Sequence, residues 1–427
     1  MLATSLFLLF ALILFSITVA ASLGLLGLIL GEVFSPMPLY RALADIIWVN
    51  SIEFLLLAIP LFVFMGEVLL RSGIAAQMYD ALTKWLAWLP GGLMHTNVGA
   101  SALFAATSGS SVATAATIGT VALPEVESRG YNEPLFLGSL TSGGTLGILI
   151  PPSINLIIYG LLTNTSVPDL YMAGLVPGLV MASIFAMTVL IACLVRPAWG
   201  GERIRCTWKE RFAALADLVP PIIIFMLVVG SIYGGLATPT EAAALGVVGA
   251  LVLAMARKAL TWTTLLAAAE ATMRTTAMVM LIILAAMFLN FVLGVIGLTQ
   301  ALAGFVADLG WSPTAMIFAI VVFYLVLGCF LETLSMLITT APLITPIVIG
   351  LGFDPVWFGV LLMVLLEMAL LTPPIGINLY VVQSVRGRGR MMDVVIGTLP
   401  FLAAMMVMVV LLIAFPQIAL WLPEVLE

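Results

Sequence analysis

Charge is scarce in this sequence. Its 427 residues include 15 Lys and Arg and 21 Asp and Glu, together 8%, where soluble domains carry about a quarter. That excludes a water-soluble domain. No basic stripe exists, which excludes nucleic-acid binding. Histidine occurs once, at His95, and the three cysteines, Cys193, Cys206 and Cys329, have no metal or redox spacing. There is no HExxH, no Gly-Asp pair of an aspartyl site, and no base identifiable for Ser110. An intramembrane enzyme lacks its parts. Alternation of apolar and polar residues is missing from the long runs, so a β-barrel is excluded too.

Hydrophobic residues make up 63% of the chain. Full-length apolar segments fall near 4–30, 50–70, 134–163, 170–196, 218–237, 239–256, 275–298, 356–383 and 393–421. Each is long enough to cross a hydrocarbon core of about 30 Å. The first, with no Lys or Arg before Arg41, is about twice as long as a signal-peptide core and is expected to be a retained helix. Two more stretches, 94–127 and 313–350, are interrupted by "ATSGSSVAT" and "GCFLETLSM". Each is either two crossings or one re-entrant hairpin.

The positive charges choose between these options. If both stretches are hairpins, Arg71, Lys84, Arg129, the loop from Arg196 through Arg203, Arg205 and Lys209 to Arg211, Arg257, Lys258 and Arg386–Arg390 share one face. Only Arg41 lies clearly opposite, with Arg274 expected at a helix start. Such a bias marks the cytoplasmic side. The N-terminus is then cytoplasmic and the C-terminus lies outside.

The chain also repeats itself at an offset of 222 residues: Thr117 meets Thr339, Pro124 meets Pro346, Phe136 meets Phe358, and Pro151-Pro152 meets Pro373-Pro374. The segments 71–93 and 295–312 correspond as partly amphipathic arms. The charge-derived topology runs the two halves in opposite directions, the inverted-repeat layout of secondary transporters. The expected fold is an all-α polytopic membrane protein with inverted repeats, two re-entrant hairpins and two broken helices.

Each break has a use. In "GGTLGILIPPS" two prolines remove amide donors, glycines admit a neighbouring backbone, and the freed carbonyls around Gly147, Ile150 and Pro152 become ligands for a small hard cation. The tip from Thr107 to Ser111 adds hydroxyls. The second half offers Gly328, Glu332 and Thr333 against Thr372, Pro373 and Gly376. Mixed hydroxyl and carbonyl oxygens at a helix break suit Na⁺. Small-residue packing alone is the bland alternative for any one cluster, but matched pairs favour sites.

Among the intramembrane acids, Glu332 aligns with Ser110 and Glu367 with Thr145, and both are candidates because burying such groups is costly. Glu67 is expected at an interface, His95 at a cap or interface. No Lys or Arg is expected near either tip. An anionic substrate must then meet bound Na⁺, hydroxyls, amides and half-helix N-termini, a physical basis for symport.

"SGSSVATAATIGTVALPEV", "GGTLGILIPPSINLIIYG", "ITTAPLITPIV" and "LTPPIGINLYV" closely resemble the large membrane subunit of tripartite ATP-independent periplasmic (TRAP) transporters, over essentially the whole chain. The resemblance implies an elevator-type, Na⁺-driven importer of organic acids such as C4-dicarboxylates, sialic acids or keto acids, in a bacterial inner membrane. It implies two partners, a small four-helix membrane subunit as a separate chain and a periplasmic substrate-binding protein. It also implies at least two Na⁺ sites. The first falls on Ser108, Ser110, Ser111, Gly147, Ile150 and Pro152, and the second near Gly328, Thr372 and Gly376, with Glu332 beside it. Substrate is expected around Ser110, Ser111, Asn155, Thr333 and Asn378. Residues 94–196 and 313–427 would form the mobile transport domain, and 1–93 and 197–312 the scaffold, arms and cytoplasmic loop. A stand-alone Na⁺- or H⁺-coupled carboxylate carrier is the nearest rival, and a channel a more distant one.

Overall fold

The computed structural model describes residues 17–202, 204 and 206–426, together with 4, 5, 7, 8, 11, 12 and 15. Most of the 4–30 segment's beginning, and Arg203 and Arg205 of the basic loop, lie outside the described residues. The described fold is all helical. Seven of its helical stretches are long and apolar enough to cross a membrane.

The first half begins with α1 (Val19–Phe34), α2 (Leu43–Ser51), α3 (Ala58–Arg71) and the amphipathic arm α4 (Ile74–Leu86). It continues with α5 (Leu93–Ser108), α6 (Ser111–Ala122), α7 (Pro124–Ser128), α8 (Glu133–Thr145), α9 (Ile154–Thr163) and α10 (Val167–Val195). The starts follow from the sequence: Ser110, Asn132 and Ser166 each accept an orphan amide of the helix that follows.

The second half runs through α11 (Trp208–Tyr233), α12 (Pro239–Ala256) and α13 (Trp262–Val295). It closes with α14 (Leu298–Asp308), α15 (Pro313–Gly328), α16 (Thr333–Gly350), α17 (Pro355–Ala369), α18 (Ile377–Arg386), α19 (Met391–Ala414) and α20 (Gln417–Leu426). Capping boxes at Thr207/Glu210 and Thr238/Glu241 start α11 and α12. Both expected breaks are present, at 146–153 and 370–376.

Two sequence expectations need correction. Arg274 does not start a helix; it lies inside the 34-residue α13, exposed, and pairs with Glu270 at 2.7 Å. The first turns of α13 are too polar to register as an apolar span, so its beginning at Trp262 was not apparent. The 393–421 segment is two helices, α19 and α20, parted at Phe415-Pro416. His95, expected at a cap or interface, is buried in the first turn of α5, and its Nε2 meets the Pro90 carbonyl at 2.8 Å, fastening the turn ahead of the helix.

Packing follows side-chain size. α1 and α3 pack on α13, and α12 packs on α3. In the interior α8 crosses α19 where Gly138 meets Gly397; a Cβ on either would overlap backbone of the other helix. Small residues permit such close crossings. The two halves also exchange helices: α9, after the first break, packs on α16, and α18, after the second, packs on α6. Large side chains such as Leu179, Ile191, Ile223, Leu281, Val322 and Ile396 are exposed on the flanks, as a lipid-facing surface requires.

Candidate ion and substrate site

The first break is a short irregular stretch between two helices. Beyond Thr145 the chain tightens into turns, with the Ile150 amide bonded to the Leu146 carbonyl at 2.9 Å. Pro151 and Pro152 follow, joined by a cis bond, and Ser153 leads into α9. Prolines donate no amide, so the carbonyls ahead of them lose helical partners.

The tip between α5 and α6 lies against this break. Gly109 ends α5 in the left-handed region, φ 61°, and a Cβ there would stand 2.6 Å from the Pro152 carbonyl oxygen. Only glycine satisfies both conditions. A Cβ on Gly147 would stand 2.8 Å from the Ser110 carbonyl carbon and the Ser111 nitrogen. The Ser111 hydroxyl donates to the Thr145 carbonyl at 3.0 Å. Ser108 Oγ lies 3.1 Å from Thr114 Oγ1, which donates to the Ser110 carbonyl at 2.7 Å. The structure thus gathers Ser108, Ser110, Ser111, Gly147 and Pro152. The Ile150 side chain packs on Gly178 of α10, and the group expected at the site is its carbonyl.

At the second break the contacts are sparser. Gly328 packs on Ala369, where a Cβ would come within 2.7 Å of the alanine Cβ. Thr372 donates its hydroxyl to the Met368 carbonyl at 2.7 Å, and a Cβ on Gly376 would stand 3.2 Å from the Thr372 carbonyl oxygen. Glu332 caps α16. Its carboxylate accepts from the Leu334 and Ser335 amides at 3.1 and 3.2 Å and from the Thr333 and Ser335 hydroxyls at 3.0 and 3.1 Å. Both oxygens of Glu332, and the Thr333 hydroxyl, are therefore engaged within their own helix start.

The two asparagines after the double prolines differ. Asn155 is buried near the start of α9. Asn378 is fully buried; its Nδ2 donates to the Thr141 carbonyl of α8 at 3.4 Å, tying the second break to the first half, while its Oδ1 has no partner. Among the remaining acids, Glu67 forms an ion pair with Arg71 at the end of α3.

Sequence reasoning passed over three contributors. Thr114 lies one helical turn beyond the tip motif, where hydroxyl spacing was its only trace. Thr145 contributes a backbone carbonyl, which leaves no trace. Gly66 of α3 lets Ser108 approach, since a Cβ there would stand 3.0 Å from the Ser108 carbonyl oxygen; a lone helical glycine carries no such message. Among the described residues no three His, Cys, Asp or Glu side chains gather into a metal cluster. The donors at the first tip are hydroxyls and carbonyls.

Irregular backbone held inside a bundle of membrane helices, facing a hydroxyl-lined tip, defines a multi-pass transport protein. A sequence profile described as "Tripartite ATP-independent periplasmic transporter, DctM component" matches residues 6–418. The chain belongs to that family. It is 34% identical to the C4-dicarboxylate TRAP transporter large permease protein DctM of Pseudomonas aeruginosa, over 94% of each chain. It is 31% identical to the sialic acid TRAP transporter large permease protein SiaM of Vibrio cholerae, over 92% of this chain and 96% of the relative. The ectoine TRAP transporter large permease protein TeaC of Halomonas elongata is 30% identical over 86% of each. These relatives are transporter permeases, not enzymes. Among solved structures, the fold resembles the Alcanivorax borkumensis YdaH transporter, with a TM-score of 0.64, 14% identity, and coverage of 93% of this chain and 97% of that one.

Proposed function

We propose that this chain is the translocating subunit of a Na⁺-coupled importer that carries a small carboxylate-bearing solute, delivered by a periplasmic binding protein, across a bacterial inner membrane. The observation that carries the reading is the first tip lying on the first break. It assembles neutral oxygens from Ser108, Ser110, Ser111, Gly147 and Pro152 around irregular buried backbone. Such a cradle suits a hard monovalent cation. The second break, with Gly328, Thr372 and Gly376, is the second Na⁺ site in this reading. Substrate occupies the space near the tips, Asn155 and Asn378. The solutes named for the relatives, a C4-dicarboxylate, sialic acid and ectoine, share a carboxylate. With no fixed cation at the tips, bound Na⁺ supplies the countercharge, which makes uptake Na⁺-dependent.

The two halves form inverted repeats, and residues 94–196 and 313–427 slide as an elevator against the remainder. The N-terminus is cytoplasmic and a small membrane subunit completes the assembly. The test is uptake into proteoliposomes containing this chain and a small subunit, with labelled organic acids, each candidate binding protein, and Na⁺ gradients present or absent. Uptake requiring both Na⁺ and one binding protein is expected. Na⁺-driven uptake without a binding protein would identify a stand-alone carrier, and uptake indifferent to Na⁺ would overturn the coupling.

A further inference from the structure

Glu367 is fully buried in α17, and neither carboxylate oxygen has a hydrogen-bond partner. A charged group so placed is rare and calls for a partner. None is supplied by its neighbours. α17 packs against α9, α10, α15, α16, α19 and α20, and none of these helices contains a Lys or Arg. Their acids are Asp169 and Asp393, each in a first helical turn, and Glu424 near the end of α20. The other titratable groups are the tyrosines Tyr159, Tyr171 and Tyr324 and the cysteine Cys193, with Glu332 capping α16.

Its position is between the two breaks. Glu367 lies on the last turn of α17, just ahead of the second break, and faces the Leu149 backbone amide within the first, without closing a hydrogen bond to it. In the repeat it takes the register of Thr145, whose carbonyl receives the Ser111 hydroxyl at the first tip. One half thus carries a neutral residue in this register and the other an acid. The cation cradle at the first tip holds no negative charge, and Glu332 is engaged in its cap. Among the described residues Glu367 is left as the unengaged buried acid beside both breaks.

We infer that Glu367 supplies the negative charge that holds cations at the breaks, a single carboxylate of the second half acting on the Na⁺ site of the first as well as on its own. In low-dielectric surroundings a carboxylate attracts a nearby cation strongly even without direct ligation. This inference rests on the Na⁺ reading of the site. It makes Glu367 a cation-affinity determinant that links the two halves electrostatically.

The test is thermal unfolding of the purified full chain across a NaCl series, with choline chloride holding ionic strength constant, for the wild type, Glu367→Gln and Glu367→Asp. Size exclusion reports whether each is folded. The wild type is expected to be stabilised by Na⁺, Glu367→Gln to need at least about tenfold more Na⁺ for half-maximal stabilisation, and Glu367→Asp to stay within about threefold of wild type. Unchanged Na⁺ dependence in Glu367→Gln overturns the inference and leaves the Na⁺ reading standing. A larger loss in Glu367→Asp than in Glu367→Gln overturns it in favour of shape. If Glu367→Gln does not fold, loss of the Na⁺ response in folded Glu367→Asp overturns it, and retention supports it. A wild type indifferent to Na⁺ sinks the Na⁺ reading, and the inference falls with it.

Discussion

At the first tip, single atoms decide the geometry. Gly147 faces backbone, not flexible side chain, so an added side chain cannot be absorbed by rotation. Gly147→Val is expected to push the tip away from the break and abolish Na⁺-stimulated uptake, leaving membrane insertion intact. Proteoliposome uptake with and without Na⁺, beside size exclusion of the solubilised protein, checks this. Ser111→Ala removes one buried hydrogen bond, to the Thr145 carbonyl, worth about 1 kcal/mol. It should raise the Na⁺ concentration for half-maximal uptake by about fivefold without eliminating transport, as a Na⁺ titration of uptake would show. These residues were legible because their side chains or spacings are unusual for a lipid-facing helix: serines around a glycine, and two prolines preceded by glycines. Thr145 was not, because what it contributes is a carbonyl that every residue possesses. Glu332 shows the converse. Its type announced an intramembrane acid, but type alone could not reveal that it caps α16.

Between elements, two contacts invite measurement. The α8–α19 crossing has no room for a side chain at Gly138 or Gly397. Gly397→Leu is expected to cost about 3 kcal/mol through overpacking, visible as a lowered unfolding midpoint. Arg386 ties together the starts of the same pair. Its buried guanidinium bonds Glu133 at 2.9 Å and Asp393 at 3.2 Å, joining the end of α18 to the starts of α8 and α19. Both carboxylates are about one third exposed (35% each), so solvent moderates their loss. Arg386→Ala should destabilise by about 2 kcal/mol, and Arg386→Lys should recover only part of it because lysine lacks the planar fork. Denaturant or thermal unfolding of both variants checks the order. The helices themselves were largely readable, since apolar run length and cap residues set them. The limits of α13 were not, since its first turns, "WTTLLAAAEATMRTT", carry threonine and charge in place of an apolar run. The meeting of Gly138 and Gly397 is a long-range fact that no local pattern encodes.

For the molecule as a whole, several polar bonds among the described residues cross between the expected scaffold and the expected transport domain, such as the Tyr79 hydroxyl donating to Asn97 Oδ1 at 2.8 Å. Another is the Tyr233 hydroxyl donating to the Tyr171 carbonyl at 2.7 Å, from α11 to α10. In the proposed elevator, Tyr233→Phe removes a bond between the two bodies and should shift the population away from this arrangement by about fivefold, the equivalent of about 1 kcal/mol. Fluorescence transfer between labels on α11 and α9 would report the shift, and an unchanged distribution would show that the bond contributes nothing net. The pairing of double prolines made the two breaks visible in the sequence. What it did not reveal is that each half keeps the other's broken helix in place, through α9 on α16 and α18 on α6. That exchange has a consequence during biosynthesis. While the ribosome is still making the second half, the first break has been inserted without the helix that will cover its continuation. The nascent chain must hold α9 provisionally, against lipid, the insertion machinery or a companion protein, until α16 arrives. A truncation ending before residue 333 should therefore be the form that membrane proteases remove fastest.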